Sequence, residues 1–158
     1  MILPGHIALA IFGHKLLRVD LPTAMAASLA PDLVDKALAQ VLQITPSGRY
    51  AMHSLVGWAA ISAVVFLVGG KERGRAWAVG HFLHFIGDGG EMPWLLFLRD
   101  YSFSAPKGFG DVFWEAFATT EGLLRFAFEL VLLGGALAWM VHDHRAEQAK
   151  SANQGANG

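Results

Sequence analysis

The chain has 158 residues, of which 54% are apolar and only 16% are charged, and its mean hydropathy is +0.41. Soluble domains carry about 25% charged residues, so this chain has too few charges to cover a water-facing surface. The formal net charge of −1 excludes the basic surface of a nucleic-acid binder, and the absence of cysteine excludes thiolate metal sites and disulfide scaffolds. We therefore expect a small membrane protein.

The N-terminal third is apolar but contains charges, and the stretch that follows it does not. Residues 2–14 and 21–44 are the first two apolar segments, with basic and acidic residues in or beside them. Between Arg49 and Lys71 there is no Asp, Glu, Lys or Arg. About 20 apolar residues are enough for a helix to cross the hydrocarbon core, so residues 50–70 are the clearest predicted span.

Two further spans are predicted downstream. Segment 76–98 is interrupted at residues 88–93 (Asp-Gly-Gly-Glu-Met-Pro), which predicts a helix, a break and a second short helix. Segment 123–141 ends in apolar residues and a tryptophan, as membrane helices do. The sequence thus predicts an all-α, polytopic membrane helix bundle of three or four spans, with a broken helix near the polar residues. Residues 1–145 are expected to form one integral-membrane domain and 146–158 a disordered polar tail.

Basic residues between the spans predict an orientation. Lys71, Arg73 and Arg75 lie in one short loop, and Arg145 and Lys150 follow the last span. Lys and Arg are enriched in cytoplasmic loops. We therefore expect this loop and the C-terminus to lie in the cytoplasm.

The densest group of ionisable residues lies in segment 76–98. His81, His84 and Asp88 are three and four residues apart and so project from one helix face. Ionisable residues within a membrane are expensive and mark functional sites, and imidazole and carboxylate groups bind zinc, manganese or iron. This face predicts half of a metal site. The alternative is a His–Asp hydrogen bond that satisfies two buried polar groups.

Further side chains of the same types occur in the other apolar segments. His6 opens the first, Asp32 and Asp35 follow Pro31 in the second, and His53 lies at the start of the clearest span. Singly, each has a structural explanation, such as acids at a helix N-terminus. Together they predict a centre for a divalent metal with these candidate ligands: His6, Asp32, His53, His81, His84 and Asp88.

These residues resemble the motifs of a known family, the bacterial membrane-bound metal-dependent hydrolases, also described as inner-membrane hydrolases. The matching elements, in family order, are Gly5-His6, Ala30-Pro31-Asp32, Arg49 with His53-Ser54, and His84 to Asp88. The acidic motif is one residue longer here, and Met52 stands where the family has threonine. Zinc-dependent phospholipase C is a more distant likeness, through its His-x-x-x-Asp helix. The resemblance implies a metal, zinc first and manganese or iron as alternatives, and a place in the bacterial inner membrane.

Such a centre would support hydrolysis, because a bound metal lowers the pKa of water from about 15.7 towards about 7. Arg49 is expected to bind a phosphate group, while Asp35 and Glu91 are candidate general bases. The expected partners are membrane lipids, and the expected substrate is a lipid or another phosphoester.

Three other functions fit the same residues. One is a small metal or proton transporter or relay, which at this length would act as a homo-oligomer. Another is a b-type cytochrome with His53 and His84 as axial haem ligands. The third is a non-catalytic membrane protein in which the polar cluster only fixes helix packing. Bound metal, colour and metal-dependent activity distinguish these functions.

Overall fold

A computed structural model describes residues 3–89, 92–103 and 108–156. This part of the chain is helical and contains no strand, which confirms the all-α prediction. The helices are α1 (Leu3–Leu17), α2 (Leu21–Lys36), α3 (Leu55–Asp88), α4 (Phe109–Ala118) and α5 (Thr120–Ala156). A π-helical turn, Ala37–Val41, extends α2, and a 3-10 turn, Ala51–His53, precedes α3.

Helices α1 and α2 form an antiparallel pair. Asp20 begins α2 as its N-cap, because its carboxylate accepts a hydrogen bond from the backbone N–H of Thr23 at 2.9 Å. Near the other end of the pair, the hydroxyl of Ser28 donates to the carbonyl oxygen of His6 at 2.9 Å. The last turns of α2 therefore lie beside the first turns of α1.

Helix α3 folds back on itself at Gly70. The φ of 81° and ψ of 177° at this residue lie outside the helical region, in a conformation that essentially only glycine adopts. Across the turn, the indole N–H of Trp58 donates to the carbonyl oxygen of Ala78 at 2.9 Å, and the rings of Trp58 and Phe82 are 6.0 Å apart. Residues 55–69, the first arm, therefore run antiparallel to residues 71–88, the second arm.

The second arm packs against both α1 and α2. A Cβ atom at Gly80 would lie 2.2 Å from the carbonyl oxygen of Ala24, so only glycine allows α2 to approach this closely. At the far end, the guanidinium of Arg75 donates to the carbonyl oxygen of Leu17 at 2.8 Å. The second arm therefore runs antiparallel to α1, and its C-terminal end lies next to the N-terminal end of α1.

Helix α5 packs in parallel against α1. The backbone N–H of Gly5 donates to the buried carboxylate of Glu129 at 3.1 Å, and Lys15 forms an ion pair with Asp143 at 2.9 Å. A carboxylate at a helix N-terminus is favoured by the helix dipole. The two ends of α1 are thus both tied to α5 by charged side chains.

By length and composition, two helices of the described chain pass for membrane spans, Leu55–Asp88 and Thr120–Ala152, although the first is divided at Gly70 into its two arms. Many of their large apolar side chains are exposed: Val64, Phe66, Leu67 and Val68 on the first arm, and Leu124, Phe128, Val131 and Leu137 on α5. Extended apolar surface of this kind is typical of contact with lipid. The predicted spans 50–70 and 123–141 coincide with these helices, although the first helix begins only at Leu55 because Ser54 is its N-cap.

The segments around the predicted break and tail differ from expectation. The second arm ends at Asp88, as predicted, but residues 94–98 form turns instead of a short helix. The carbonyl oxygen of Trp94 accepts a hydrogen bond from the N–H of Leu55 at 3.0 Å, which ties this segment to the start of the first arm. At the C-terminus, α5 continues to Ala156 where a disordered tail was predicted, because this stretch is rich in residues of high helix propensity.

Candidate metal centre

Histidine and aspartate side chains from separate segments meet at one end of the bundle. His6 comes from α1, Asp32 from α2, His53 from the 3-10 turn, and His84 and Asp88 from the last turns of the second arm. One ligand atom from each of the last four residues lies within 4.8 Å of the others. The structure thus brings together five of the six side chains that were predicted as ligands.

His6 completes this group from the opposite side. Its Nε2 lies 3.4 Å from Oδ1 of Asp88 and 3.7 Å from Oδ2 of Asp32, and its ring stacks on His84 with centroids 4.1 Å apart. The side chain is buried, and neither ring nitrogen has a hydrogen-bond partner among the residues that the structure describes. An unsatisfied buried polar group costs about 1–3 kcal/mol, and a cation held between His6 and the two carboxylates would remove that cost.

The hydrogen bonds of His53 and His84 determine which nitrogen of each ring is protonated. Nδ1 of His84 lies 2.8 Å from the carbonyl oxygen of Ser28, and Nδ1 of His53 lies 2.8 Å from the carboxylate of Asp35. Because both partners are acceptors, each Nδ1 must donate. The two Nε2 atoms, 3.1 Å apart, therefore direct lone pairs at each other when the rings are neutral. A proton between the two nitrogens or a cation beside them would relieve this contact, and this is the orientation in which histidines ligate metals.

Hydrogen-bond donors surround the carboxylate of Asp35. Besides the His53 ring, its fully buried carboxylate accepts hydrogen bonds from the backbone N–H groups of Tyr50, Met52 and His53, at distances between 2.7 and 3.2 Å. It therefore shapes the turn that carries His53 and orients the imidazole. This placement favours a positioning role over the general base that the sequence suggested.

His81 lies on the same arm as His84 but bonds elsewhere. Its Nε2 is 2.7 Å from the carbonyl oxygen of Met52, and its ring contacts Phe85 with centroids 5.0 Å apart. A separation of three residues turns a side chain by about 60° around a helix, which directs His81 towards the 3-10 turn instead of the ligand atoms. The structure therefore places this predicted ligand as a support for the backbone next to His53.

Two basic side chains stand where the centre meets solvent. Nζ of Lys36 is 2.8 Å from Oδ2 of Asp32, and the guanidinium of Arg49 is 2.9 Å from Oδ2 of Asp88. Asp32 is 20% exposed while the other ligands are buried, so the centre opens beside it. Sequence reasoning missed Lys36, although its position four residues after Asp32 was a usable signal. Glu91, the other predicted catalytic residue, lies outside the described residues.

The pKa shifts of Asp32 and His53, next to the opening, show that the surroundings of the centre favour positive charge. Burial raises the pKa of the Asp32 carboxyl, but hydrogen bonding to His53 and the charge of Lys36 outweigh it and hold the pKa below its ordinary 3.8. Burial lowers the pKa of His53, but hydrogen bonds to Asp32 and Asp35 outweigh it and raise the pKa above its ordinary 6.5. The carboxylate stays ionised, and the imidazole has surroundings that favour a bound cation or proton.

Comparison with known proteins identifies a family for most of the chain. A family model described as YdjM inner membrane protein matches residues 2–145, which include every member of the candidate centre. No curated protein and no solved structure gives a significant match. Because the match covers far more than half of the sequence, the chain belongs to the YdjM inner membrane protein family, a bacterial inner-membrane family.

Proposed function

We propose that this protein is a membrane-embedded metal-dependent hydrolase. The observation that carries the proposal is the pair of facing Nε2 atoms in His53 and His84, 3.1 Å apart, with their Nδ1 atoms already committed to acceptors. The ring of His6, which makes no hydrogen bond to the described residues, and the carboxylates of Asp32 and Asp88 surround the same point. Imidazole and carboxylate donors together suit zinc, with manganese and iron as alternatives.

The proposed chemistry divides between the metal and the chain. A divalent metal, when bound, supplies a water molecule of lowered pKa and a Lewis acid. Asp35 and the carbonyl oxygen of Ser28 hold the two histidine rings in the orientation that presents Nε2. Arg49 stands at the solvent-exposed side of Asp88, where its guanidinium is placed to bind an anionic substrate group. The role of Glu91 as general base remains a prediction.

Exposed apolar side chains near the opening support a lipid or other amphiphilic phosphoester as substrate. We call Leu33, Val41, Leu42 and Ile44 the apolar rim; all four are more than half exposed, at 73%, 75%, 60% and 68%. They flank Lys36 in the chain, on α2 and just after it. Exposed apolar side chains on the helix that carries Asp32, and just after it, fit a substrate whose headgroup reaches the metal while its hydrocarbon part stays in lipid.

The direction of the helices supports an orientation in the membrane. The C-terminal end of α1, the turn at Gly70 and the C-terminal part of α5 lie at the end of the bundle opposite the centre. The basic residues predicted to be cytoplasmic gather there, namely Lys71, Arg73, Arg75, Arg145 and Lys150. The positive-inside rule then places the C-terminus in the cytoplasm and the metal centre towards the outer face. Because the N-terminal end of α1 lies at the centre and the C-terminus at the opposite end, this orientation needs an odd number of spans, and of the predicted three or four spans we propose three.

The test is hydrolysis by the detergent-purified protein, loaded with zinc, manganese or iron. Bis-p-nitrophenyl phosphate and a short-chain phospholipid serve as substrates, with His84→Ala as the inactive variant and His144→Ala, exposed on α5, as its matched control. We expect metal-dependent turnover of a substrate by the wild type and by His144→Ala, and none by His84→Ala. Bound metal without turnover of either substrate would contradict the hydrolase and leave a metal-binding or transport protein.

A further inference from the structure

We propose that Lys36 and Arg49 together form a phosphate-binding site. The two side chains become free to bind phosphate when the metal takes their carboxylate partners as ligands. This inference rests on the proposed function, since it concerns the substrate group that the same centre would receive. It assigns Lys36 a role in substrate recognition alongside Arg49.

The two cations sit on one opening of the centre. Each is paired with a different carboxylate of the cluster, Lys36 with Asp32 and Arg49 with Asp88, and their side chains are 42% and 41% exposed. The loop that carries Arg49 packs on Lys36, because a Cβ atom at Gly48 would lie 3.3 Å from Cγ of Lys36. Both charged groups therefore border the same solvent-exposed edge.

Charge balance couples this edge to the metal. In the metal-free centre, Lys36 and Arg49 offset the charges of Asp32 and Asp88. A divalent cation that takes these carboxylates as ligands adds positive charge even when it displaces the proton of His53, and it competes directly with both basic side chains for their partners. An anion at the opening then restores the balance. Arginine binds phosphate through two parallel hydrogen bonds and lysine as a point charge, so the pair suits a phosphate group.

Two sources carry this chemistry, a lipid headgroup and a water-soluble phosphoester. The apolar rim, which flanks Lys36 along the chain, favours the lipid, because it offers exposed surface for hydrocarbon. The phosphate itself is common to both, and competition between them assigns the source.

The experiment measures binding of inorganic phosphate to the full-length protein in detergent, by calorimetry, with metal content determined on the same samples. We expect the zinc-loaded protein to bind phosphate at least about tenfold tighter than the metal-free protein, and phosphate to tighten zinc binding by the same factor. Lys36→Met and Arg49→Met should each lose most of this gain while keeping their zinc, since each removes a cation that competes with the metal. Lys71→Met, exposed at the turn of α3, is the control and should bind phosphate as wild type does.

The outcomes separate this inference from the proposed function. Zinc bound in full, with phosphate no tighter than in the metal-free protein or with both variants equal to wild type, overturns the phosphate site and leaves the metal centre standing. A wild-type protein that binds none of zinc, manganese and iron overturns both. Glycerol phosphate and dihexanoyl phosphatidic acid then compete for the site: stronger competition by the lipid assigns a lipid headgroup, and equal competition assigns a soluble phosphoester.

Discussion

His53 and His84 direct their Nε2 atoms at each other across 3.1 Å, and an acceptor behind each ring fixes its orientation. The acceptors come from α2, in the Asp35 carboxylate and the Ser28 carbonyl oxygen, so one helix aligns both imidazoles. Ligands held in this way need little rearrangement when a metal binds. The arrangement explains why the buried carboxylate of Asp35 is part of the centre although it is not among the ligand atoms.

Replacing Asp35 tests this alignment. In Asp35→Asn, one oxygen that accepts from the 3-10 turn is replaced by an amide donor, and the charge that holds the His53 proton is lost. We expect zinc affinity to fall about 10–100-fold, as for other residues that orient a metal-binding histidine, measured by competition with a chromophoric chelator. Asp20→Asn, which alters only the cap of α2, should leave zinc affinity unchanged. Equal affinities in the two variants would contradict the positioning role.

The raised pKa of His53 predicts how the stability of the metal-free protein depends on pH. Burial lowers this pKa, but hydrogen bonds to Asp32 and Asp35 outweigh it and raise the pKa above 6.5. A group of this kind contributes stability that is fully present below its unfolded pKa and is lost as the pH rises through its folded pKa. We therefore expect the Tm of metal-free protein to fall as the pH rises above 6.5 and through the raised pKa of His53.

The zinc-loaded protein is the comparison for this pH series. Zinc takes the place of the proton on His53, so the Tm of the zinc-loaded protein should stay constant or rise over the same pH range. The lowered pKa of Asp32 acts in the opposite direction, through stability that is present above 3.8 and lost as the pH falls through the folded pKa. Its effect therefore lies below the measured range. A Tm of the metal-free protein that rises with pH would show that His53 is not stabilised in its charged form.

The turn within α3 is tested by substituting its glycine. A side chain at Gly70 would meet no atom within 4 Å, so the cost of Gly70→Ala is the backbone conformation alone. We expect a loss of about 1–3 kcal/mol, seen as a lower Tm in detergent. Gly134→Ala is the matched control, because Gly134 also has open space around it but lies within helical α5. It should be neutral or slightly stabilising, and equal effects of both substitutions would contradict the sharp turn at Gly70.

The sequence predicted the helical fold and most of the metal centre, because both depend on local patterns. Apolar runs without charges mark the first arm and α5, and the spacing of His84 and Asp88 places both on one helix face. For the turn at Gly70, the sequence indicated only a short basic loop between two spans. The antiparallel contact of Trp58 with Ala78 that proves it is a tertiary contact.

Roles within the centre depend on direction, which spacing alone does not determine. His81 and Asp35 have the same residue types as the ligands, yet one faces the Met52 carbonyl and the other faces a ring of backbone N–H groups. Lys36 was overlooked because a lysine four residues after an aspartate is common on solvated helices. Its importance follows only from the exposure of Asp32 at the mouth of the centre.

The most direct test of the account is elemental analysis of the full-length protein, purified in detergent without chelators. Wild type is compared with His84→Ala and Asp88→Asn, and with His144→Ala as the exposed control; circular dichroism confirms that each variant is folded. We expect zinc, manganese or iron near stoichiometric amounts in wild type and the control, and its loss in both variants of the centre. A wild-type protein without metal, or folded His84→Ala and Asp88→Asn proteins with undiminished metal, would contradict the metal centre.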